Sequence, residues 1–421
     1  MSEFDFLKEQ LSQLQQDDLL RELLCIDSAA GPVIRIGNAE KVLFCSNNYL
    51  NLANNPQIIT AAKNAIGQYG LGSAASRLIS GTIKPHIELE IAIAKMFNKQ
   101  AALIFPSGYM TNLAVLQTIP QKGDLLLLDK LDHASIIDAA KGSEADFRTY
   151  HSPRCDSSRR RPQPKSDRVA TGRTQSAFGE TSPLGGFDRI EKFLSSDKYN
   201  RKFIVTESVF SMDGDFAELE KLIELKKQYN AFLIVDEAHA FGCMGASGAG
   251  LAEELGLLDE IDIVIATLSK AAGCMGGFVV GDKCVIDYLI NKARPFIYTT
   301  APLPANSAAA LCAIEIIKNA KGKRKKLKEN ADYLREKLKK LGLNTGTSSS
   351  HIIPVIIGDN KRTLEISKQL LERGFLVVAI RPPTVPAGSA RLRISVQCDH
   401  TKEQIDLLCK ALEESLVAGG S

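Results

Sequence analysis

A lysine and an aspartate at the ends of two apolar runs are the residues best suited to covalent and acid–base chemistry. Lys270 follows the run DIVIATLS and precedes glycines at 273, 276, 277 and 281, and Asp236 ends the run FLIVD. A lysine desolvated at the end of a buried strand has a lowered pKa, so its amine is available for a Schiff base with a carbonyl. The glycines leave room for a flat ligand or for a close backbone approach.

The spacing between these two residues indicates a shared cleft. They are 34 positions apart (270 − 236), which fits one helical crossover and a strand of a right-handed βαβ unit. A lysine that forms an imine and a carboxylate that holds a protonated pyridine nitrogen are the requirements of pyridoxal phosphate (PLP) chemistry. A helix N-cap is the alternative role for Asp236, because DEAH follows the strand.

Other motifs are weaker, and two classes of site are disfavoured. FPSGYMTNLA places Ser107 and Gly108 at a predicted helix start, where free N–H groups suit a phosphate, although a plain helix start explains it equally. His133 follows the strand DLLLLD, a position at which most histidines are structural. The chain has no G-x-x-x-x-G-K-[ST] loop, which disfavours nucleotide hydrolysis, and its six histidines lack metal-binding spacing, so we predict no metal.

Composition is typical of a globular enzyme for small molecules. The 421 residues include 52 basic and 49 acidic side chains, and this net charge of +3 gives no reason to expect nucleic acid or a membrane surface as a partner. Nine scattered cysteines without a C-x-x-C pair disfavour disulfides and zinc. No apolar stretch is long enough to span a membrane and no signal peptide is evident, so we expect a cytosolic protein.

The order of apolar runs predicts the α/β class. Between residues 100 and 285, short apolar runs alternate with helical patterns, which indicates a mostly parallel sheet covered by helices on both faces. We predict an N-terminal arm with an amphipathic helix in residues 1–50, a large domain in 51–305 and a smaller C-terminal α/β domain in 306–421. Residues 152–186 are rich in Ser, Arg, Pro and Gly, so we predict a disordered insertion there; phosphate or nucleic-acid binding by its basic run is the alternative.

Six motifs, in order along nearly the whole chain, resemble the α-oxoamine synthases: SNNYLNLA, LDHASIIDA, TESVFSMDGD, VDEAHAFGCMGASGAG, TLSKAAGCMGGFVVG and RPPTVPAGSARLRIS. These are PLP-dependent acyltransferases of fold type I that condense an amino acid with an acyl thioester and release CO2. The resemblance implies a large domain with a mostly parallel seven-stranded sheet, a smaller C-terminal α/β domain, and a homodimer whose active sites lie at the interface.

The resemblance also implies a role for each matching residue. Lys270 corresponds to the Schiff-base lysine, Asp236 to the partner of the pyridine nitrogen, and His133 to the residue that stacks on the ring and handles protons. The remaining cofactor contacts correspond to Gly108, Tyr109, Ser211, His239, Thr267, Thr299 and Thr300, the last two reaching the neighbouring subunit's cofactor. The substrate carboxylate would be held by Asn47 and Arg393.

The run IRPPTVPAGSARLRIS is most similar to the biotin-pathway branch of the family, which joins L-alanine to a pimeloyl thioester carried by coenzyme A or a carrier protein. Arg21 and Arg381 are then candidates for contacting the acyl substrate, with a surface or structural role as the alternative. Relatives that use glycine and acetyl-CoA, and catalytically silent subunits, are the other possibilities. The chain departs from the family pattern at Asn51 and Ala75, near the expected substrate side.

Overall fold

The computed structural model describes residues 4–151 and 186–417. Its centre is a seven-stranded sheet in which six strands are parallel and one, β9, is antiparallel to both of its neighbours. The strand order is β3-β9-β8-β7-β6-β4-β5. The strands are β3 Ala101–Phe105, β4 Leu125–Asp129, β5 Asp146–Tyr150, β6 Lys202–Glu207, β7 Phe232–Asp236, β8 Ile263–Thr267 and β9 Gly277–Gly281.

Both faces of this sheet are buried over most of its width, because successive apolar residues of β3, β4, β6, β7, β8 and β9 join different hydrophobic clusters. Leu125 and Leu127 of β4 belong to one cluster, and Leu126 and Leu128 belong to the other. A continuous apolar run is therefore required, in place of alternating polar residues. The helices around the sheet are Lys84–Met96, Gly108–Thr118, Ala134–Lys141, Gly186–Leu194, Leu219–Gln228, Leu251–Glu254, Lys283–Lys292 and Arg294–Ile297, with a short 3₁₀ turn at Leu258–Glu260.

Two three-stranded sheets lie outside the central one. The first joins the two ends of the chain, because β2 pairs with β1 in antiparallel fashion and with β11 in parallel. The second has the order β10-β13-β12 and is antiparallel. These strands are β1 Val33–Ile36, β2 Ala39–Leu43, β10 Ile352–Gly358, β11 Phe375–Leu376, β12 Val378–Ile380 and β13 Ala390–Ser395. The helices of this part are Pro304–Asn319, Lys321–Lys340, Asn360–Glu372 and Lys402–Val417.

The predicted N-terminal helix is present as Asp5–Gln16, and none of its residues is buried in the single chain. A second helix, Pro56–Tyr69, and a π-helical turn, Arg77–Gly81, precede the central sheet. Of the predicted insertion, residues 152–185 lie outside the described part of the chain, and Gly186 begins a helix. None of the helices described in 4–151 and 186–417 is long and apolar enough to cross a membrane.

Candidate active site

A cavity of about 210 Å³ lies at the carboxyl ends of the parallel strands. This is where open α/β sheets bind their ligands. Six of the predicted site residues line it: Gly108, Tyr109, His133, Asp236, Thr267 and Lys270. The other residues of its wall are Ser107, Asn112, Ser135, Glu207, Ala238, Ile265, Ala266 and Ser269.

Lys270 lies three residues beyond the end of β8 and is desolvated by its surroundings. Burial lowers the pKa of its amine to about 8, against the opposing influence of the acidic residues Asp236 and Glu207. No hydrogen bond or ion pair engages its side chain within residues 4–151 and 186–417. The amine is therefore available to a ligand and loses its proton more readily than an ordinary lysine.

The glycines after Lys270 serve close backbone approaches. A Cβ at Gly277 would lie 2.6 Å from the Cα of Gly108, so glycine here lets β9 pack against the start of the helix Gly108–Thr118. Gly273 has φ +66°, and a Cβ there would lie 2.4 Å from the backbone nitrogen of Ala53. Of the two alternatives from the sequence, the structure supports close packing of backbone at these positions.

Asp236 ends β7 with both carboxylate oxygens occupied. Its Oδ1 accepts from the N–H of Ala238 at 2.9 Å, and its Oδ2 accepts from Nδ2 of Asn112 at 3.0 Å. The residues after Asp236 form turns, and the next helix begins at Leu251, so the side chain caps a turn and not a helix. These two bonds fix the carboxylate at the cavity wall.

The phosphate position predicted from the sequence lies at the start of the helix Gly108–Thr118. Ser107 is its N-cap, accepting from the N–H of Met110 through Oγ at 3.2 Å and from the N–H of Thr111 through its carbonyl at 3.1 Å. The N–H groups of Gly108 and Tyr109 remain at the helix start, where an anion is favoured. A Cβ at Gly108 would lie 3.3 Å from Oγ1 of Thr267, so the hydroxyl borders the same position.

A second polar group joins residues that are distant in sequence. Arg393 donates from Nε to the carbonyl of Ser211 at 2.7 Å and from Nη2 to Oδ1 of Asn47 at 3.3 Å. The hydroxyl of Tyr49 donates to the same Oδ1 at 2.9 Å and lies 2.7 Å from Nδ1 of His239. Burial, with Lys270 as the next cause, holds the pKa of His239 well below its usual value, so this histidine is neutral.

Four predicted residues lie elsewhere in the single chain. Thr299 and Thr300 are outside the cavity, and Thr300 forms an isolated bridge with Ser76. Arg381 donates to the carbonyls of Asp18 and Leu20 in the N-terminal arm.

The two hydrogen bonds of Arg381 thus give it a role in holding the arm. Arg21 is exposed, and its Nη2 lies 3.5 Å from the carbonyl of Pro382.

The wall residues missed from the sequence include Asn112, Ser135 and Glu207. Glu207 ends β6 beside Asp236, as the strand register pairs them. Burial, with the neighbouring Asp236 as the next cause, raises the pKa of Glu207 to about 8. The signal was available in the run KFIVTE, where an acidic residue ends an apolar strand as Asp236 does.

A larger groove of about 1040 Å³ lies between the helices Pro56–Tyr69 and Pro304–Asn319. Its charged lining residues are Glu315 and Lys323, and it contains none of the predicted site residues. The smaller cavity is therefore the candidate site, because titratable groups from several strands converge there.

Comparison with known proteins agrees with this fold. The family profile described as aminotransferase class I and II matches residues 39–412. The chain belongs to this family. A curated relative from Thermoanaerobacter pseudethanolicus, named 8-amino-7-oxononanoate synthase, is 40% identical over 412 residues, which cover 98% of this chain and 97% of that protein. One from Bacillus subtilis, named 8-amino-7-oxononanoate synthase 1, is 35% identical over 98% of this chain and 97% of its own.

Solved structures of the same fold also match this member of the aminotransferase class I and II family. A serine palmitoyltransferase from Sphingomonas wittichii has a TM-score of 0.85 at 30% identity, covering all of this chain and 98% of its own. An 8-amino-7-oxononanoate synthase from Francisella tularensis has a TM-score of 0.72 at 27% identity, covering 90% of this chain and 98% of its own. The predicted fold class, α/β of the PLP-dependent fold type I, is confirmed, and so is the predicted family resemblance.

Proposed function

We propose that this chain is an 8-amino-7-oxononanoate synthase, which condenses L-alanine with a pimeloyl thioester and releases CO2 and the free thiol. The observation that carries the proposal is the cavity at the strand ends, where Lys270, Asp236 and His133 converge in a chain that is 35–40% identical to synthases of this name over 98% of its length. The chemistry of the cavity and the sequence identity support the same activity.

The residues of the cavity fit PLP. The cavity has an amine on one wall, a carboxylate held by two hydrogen bonds on another, and N–H groups at a helix start. A buried polar atom without a partner in the described residues, Oε1 of Glu207, also indicates a polar occupant. Lys270 would hold the cofactor covalently, Asp236 its ring nitrogen, and Gly108, Tyr109 and Thr267 its phosphate.

Bound PLP supplies an electron sink for the carbon that loses its proton and its carboxylate. The chain's own contribution is proton transfer and orientation. With a pKa of about 8, the Lys270 amine can take the α-proton of the amino acid near neutral pH and return a proton later. Arg393, fixed by Ser211, would bind the substrate carboxylate beside Asn47.

The acyl chain of a pimeloyl thioester ends in a second carboxylate, which needs a cation. Arg21 and Arg381 are close enough for the charge of Arg21 to lower the pKa of Arg381, after the larger effect of burial. Neither guanidinium has an ion pair with a carboxylate within the described ranges 4–151 and 186–417. We propose Arg21, the exposed member, as the residue that meets the distal carboxylate, with Arg381 fixing the arm that carries it.

We propose a homodimer with a large domain over residues 51–305 and a smaller one over 306–421. Large apolar side chains are exposed on the single chain near Thr299 and Thr300: Tyr298 is 71% exposed and Leu303 is 46% exposed. Ile79, in the π-helical turn that packs near them, is 81% exposed. A partner subunit that covers this surface would bring both threonines towards its own cavity.

Serine palmitoyltransferase is the second candidate, because a solved structure of that name reaches a TM-score of 0.86. Identity favours the first candidate: the two curated 8-amino-7-oxononanoate synthases named above are 35–40% identical to this chain, whereas the solved serine palmitoyltransferases are 29–30% identical and the solved 8-amino-7-oxononanoate synthase is 27% identical. A glycine and acetyl-CoA synthase is a further alternative on the family resemblance. A silent subunit is disfavoured, because Lys270 and Asp236 are both present and line one cavity.

The test is product formation by the purified, PLP-loaded protein with L-alanine and pimeloyl-CoA, followed by mass spectrometry. We expect the mass of the condensed, decarboxylated aminoketone acid, and none from the matched Lys270→Ala protein. Release of free thiol without that product would contradict the proposal. Product formation with L-serine and palmitoyl-CoA at a higher rate would favour the second candidate.

A further inference from the structure

A continuous chain of hydrogen bonds connects Asp236 to His133 through two side chains that sequence reasoning missed. Nδ2 of Asn112 lies 3.0 Å from Oδ2 of Asp236 and 2.9 Å from Oγ of Ser135. Oγ of Ser135 lies 2.8 Å from Nδ1 of His133, and the N–H of Ser135 donates to the same ring nitrogen at 3.2 Å. Asp236 ends a strand, Asn112 lies in one helix, and Ser135 lies in another whose N-cap is His133, so these hydrogen bonds tie separate elements together.

The direction of each hydrogen in this chain follows from which groups can only donate. The amide nitrogen of Asn112 has two hydrogens and no lone pair to offer, so Asp236 and Ser135 both accept from it. The hydroxyl of Ser135, having accepted from Asn112, directs its own hydrogen to its remaining neighbour, Nδ1 of His133. Nδ1 therefore accepts, and the proton of the neutral imidazole lies on Nε2.

The amide is held by its nitrogen alone. Asn112 is 3% exposed and Ser135 is 1% exposed, and Oδ1 of Asn112 has no hydrogen-bond partner within the described residues. A buried unsatisfied oxygen costs stability, so a side chain kept in this state is retained for the two bonds that its nitrogen donates.

We propose that Asn112 and Ser135 are positioning residues that lock His133 in its Nε2–H tautomer and link its charge state to Asp236. In this state His133 offers a hydrogen to a ligand in the cavity and not a lone pair. A second proton on the ring could enter only at Nδ1, where it would break the bond from the Ser135 hydroxyl. The consequence for catalysis rests on the proposed function, but the tautomer does not.

The charged groups around His133 act in both directions on its protonation. Burial and the Lys270 ammonium lower the pKa of His133, whereas the carboxylates of Asp236 and Asp138 raise it. Ser135 donates two hydrogen bonds to Nδ1, one from its hydroxyl and one from its backbone N–H. Hydrogen bonds to the neutral form of the ring disfavour its protonation. Removing one donor should therefore make the ring easier to protonate.

The test is a ¹⁵N NMR titration of the histidine rings in the protein without cofactor or substrate. The chain has six histidines, so His133→Gln identifies the signal of interest. We expect the wild-type ring to show Nε2–H at neutral pH. Ser135→Ala and Asn112→Ala should each raise the pKa of His133 by roughly half to one unit, the effect of one lost hydrogen bond.

Asn112 does not contact His133, so a change in the His133 titration on replacing Asn112 must be transmitted through the hydrogen bonds of Ser135. A merely structural role of Asn112 would leave that titration unchanged. Thr111→Ser, at the neighbouring position of the same helix, should leave the titration unchanged. If the alanine variant does not fold, Asn112→Leu removes the same donor at nearly the same side-chain size without adding a charge, and it should also raise the pKa. A wild-type ring protonated on Nδ1, or an unchanged titration in folded Asn112 variants, would overturn the proposal. Failure of the alanine and pimeloyl-CoA assay would leave this result untouched.

Discussion

Replacing Glu207 by glutamine should remove a pH-dependent loss of stability that the wild-type protein carries. Glu207 is 2% exposed, its Oε1 has no partner within the described residues, and it ends β6 beside Asp236. Burial and Asp236 raise its pKa from 4.5 to about 8 in the folded protein. Between these two values the folded state keeps a proton that the unfolded state has lost, so the unfolding free energy falls as the pH rises.

The size of the effect follows from the pH range that can be measured. From pH 5.5 to 8 the carboxyl contributes a loss of about 3 kcal/mol, at about 1.4 kcal/mol per pH unit. Above pH 8 both states are ionised and the loss levels off. An unfolding entropy of about 2.1 cal/mol/K for each of the 421 residues converts this to about 3 °C in Tm.

The assay is the Tm difference between Glu207→Gln and wild type, measured without cofactor at half-unit steps from pH 5.5 to 9. We expect the difference to move in favour of the variant by about 3 °C up to pH 8 and then to remain constant. Glu144→Gln, at an exposed position, is the control for loss of a carboxylate as such. A constant difference across the whole range would refute the argument that Glu207 is a neutral acid in the folded protein.

Further predictions concern backbone packing, the buried ion pair of Arg77 and the covalent attachment of PLP. Gly273→Ala should lower Tm strongly, because Gly273 has φ +66° and the new Cβ would lie 2.4 Å from backbone. Gly322→Ala is the matched control: it lies in a helix with open space around it, and it should raise the unfolding free energy by about 0.5 to 1 kcal/mol in denaturant unfolding. Arg77→Ala should lower the unfolding free energy by about 3 to 5 kcal/mol, because its bidentate partner Glu90 is left buried and without a counter-charge. Denaturant unfolding should show recovery in the double variant with Glu90→Leu, and an unchanged unfolding midpoint for Arg77→Ala would contradict the prediction. Lys270→Ala should carry no PLP mass after borohydride treatment and denaturation, and a retained mass would place the covalent attachment on another lysine.

The part of the site carried by strand ends could be predicted from the sequence. Lys270 and Asp236 follow apolar runs, and the carboxyl ends of parallel strands meet at one edge. The antiparallel direction of β9 was not predicted, although the chain between β8 and β9 spans only residues 268–276, too short for a crossover to a parallel strand.

Contacts between distant segments could not be predicted. Asn112 meets partners 23 and 124 positions away, and in the sequence it is one polar residue of a helix. Arg381 was a candidate for the acyl substrate or for a structural role, and its guanidinium donates to the carbonyls of Asp18 and Leu20, more than 350 positions away. Long side chains reach whatever the fold brings near them, and a local pattern contains no information about that.

The central claim is the choice of substrates, and a single comparison tests it most directly. The measurement is kcat/KM for the acyl thioester, with pimeloyl-CoA and L-alanine against acetyl-CoA and glycine, on one preparation of PLP-loaded protein. We predict a higher value for the first pair. Some turnover of glycine with pimeloyl-CoA is also expected, because one methyl group discriminates by only about 1 to 3 kcal/mol. A higher value for acetyl-CoA with glycine would contradict the assignment and leave the cofactor site intact.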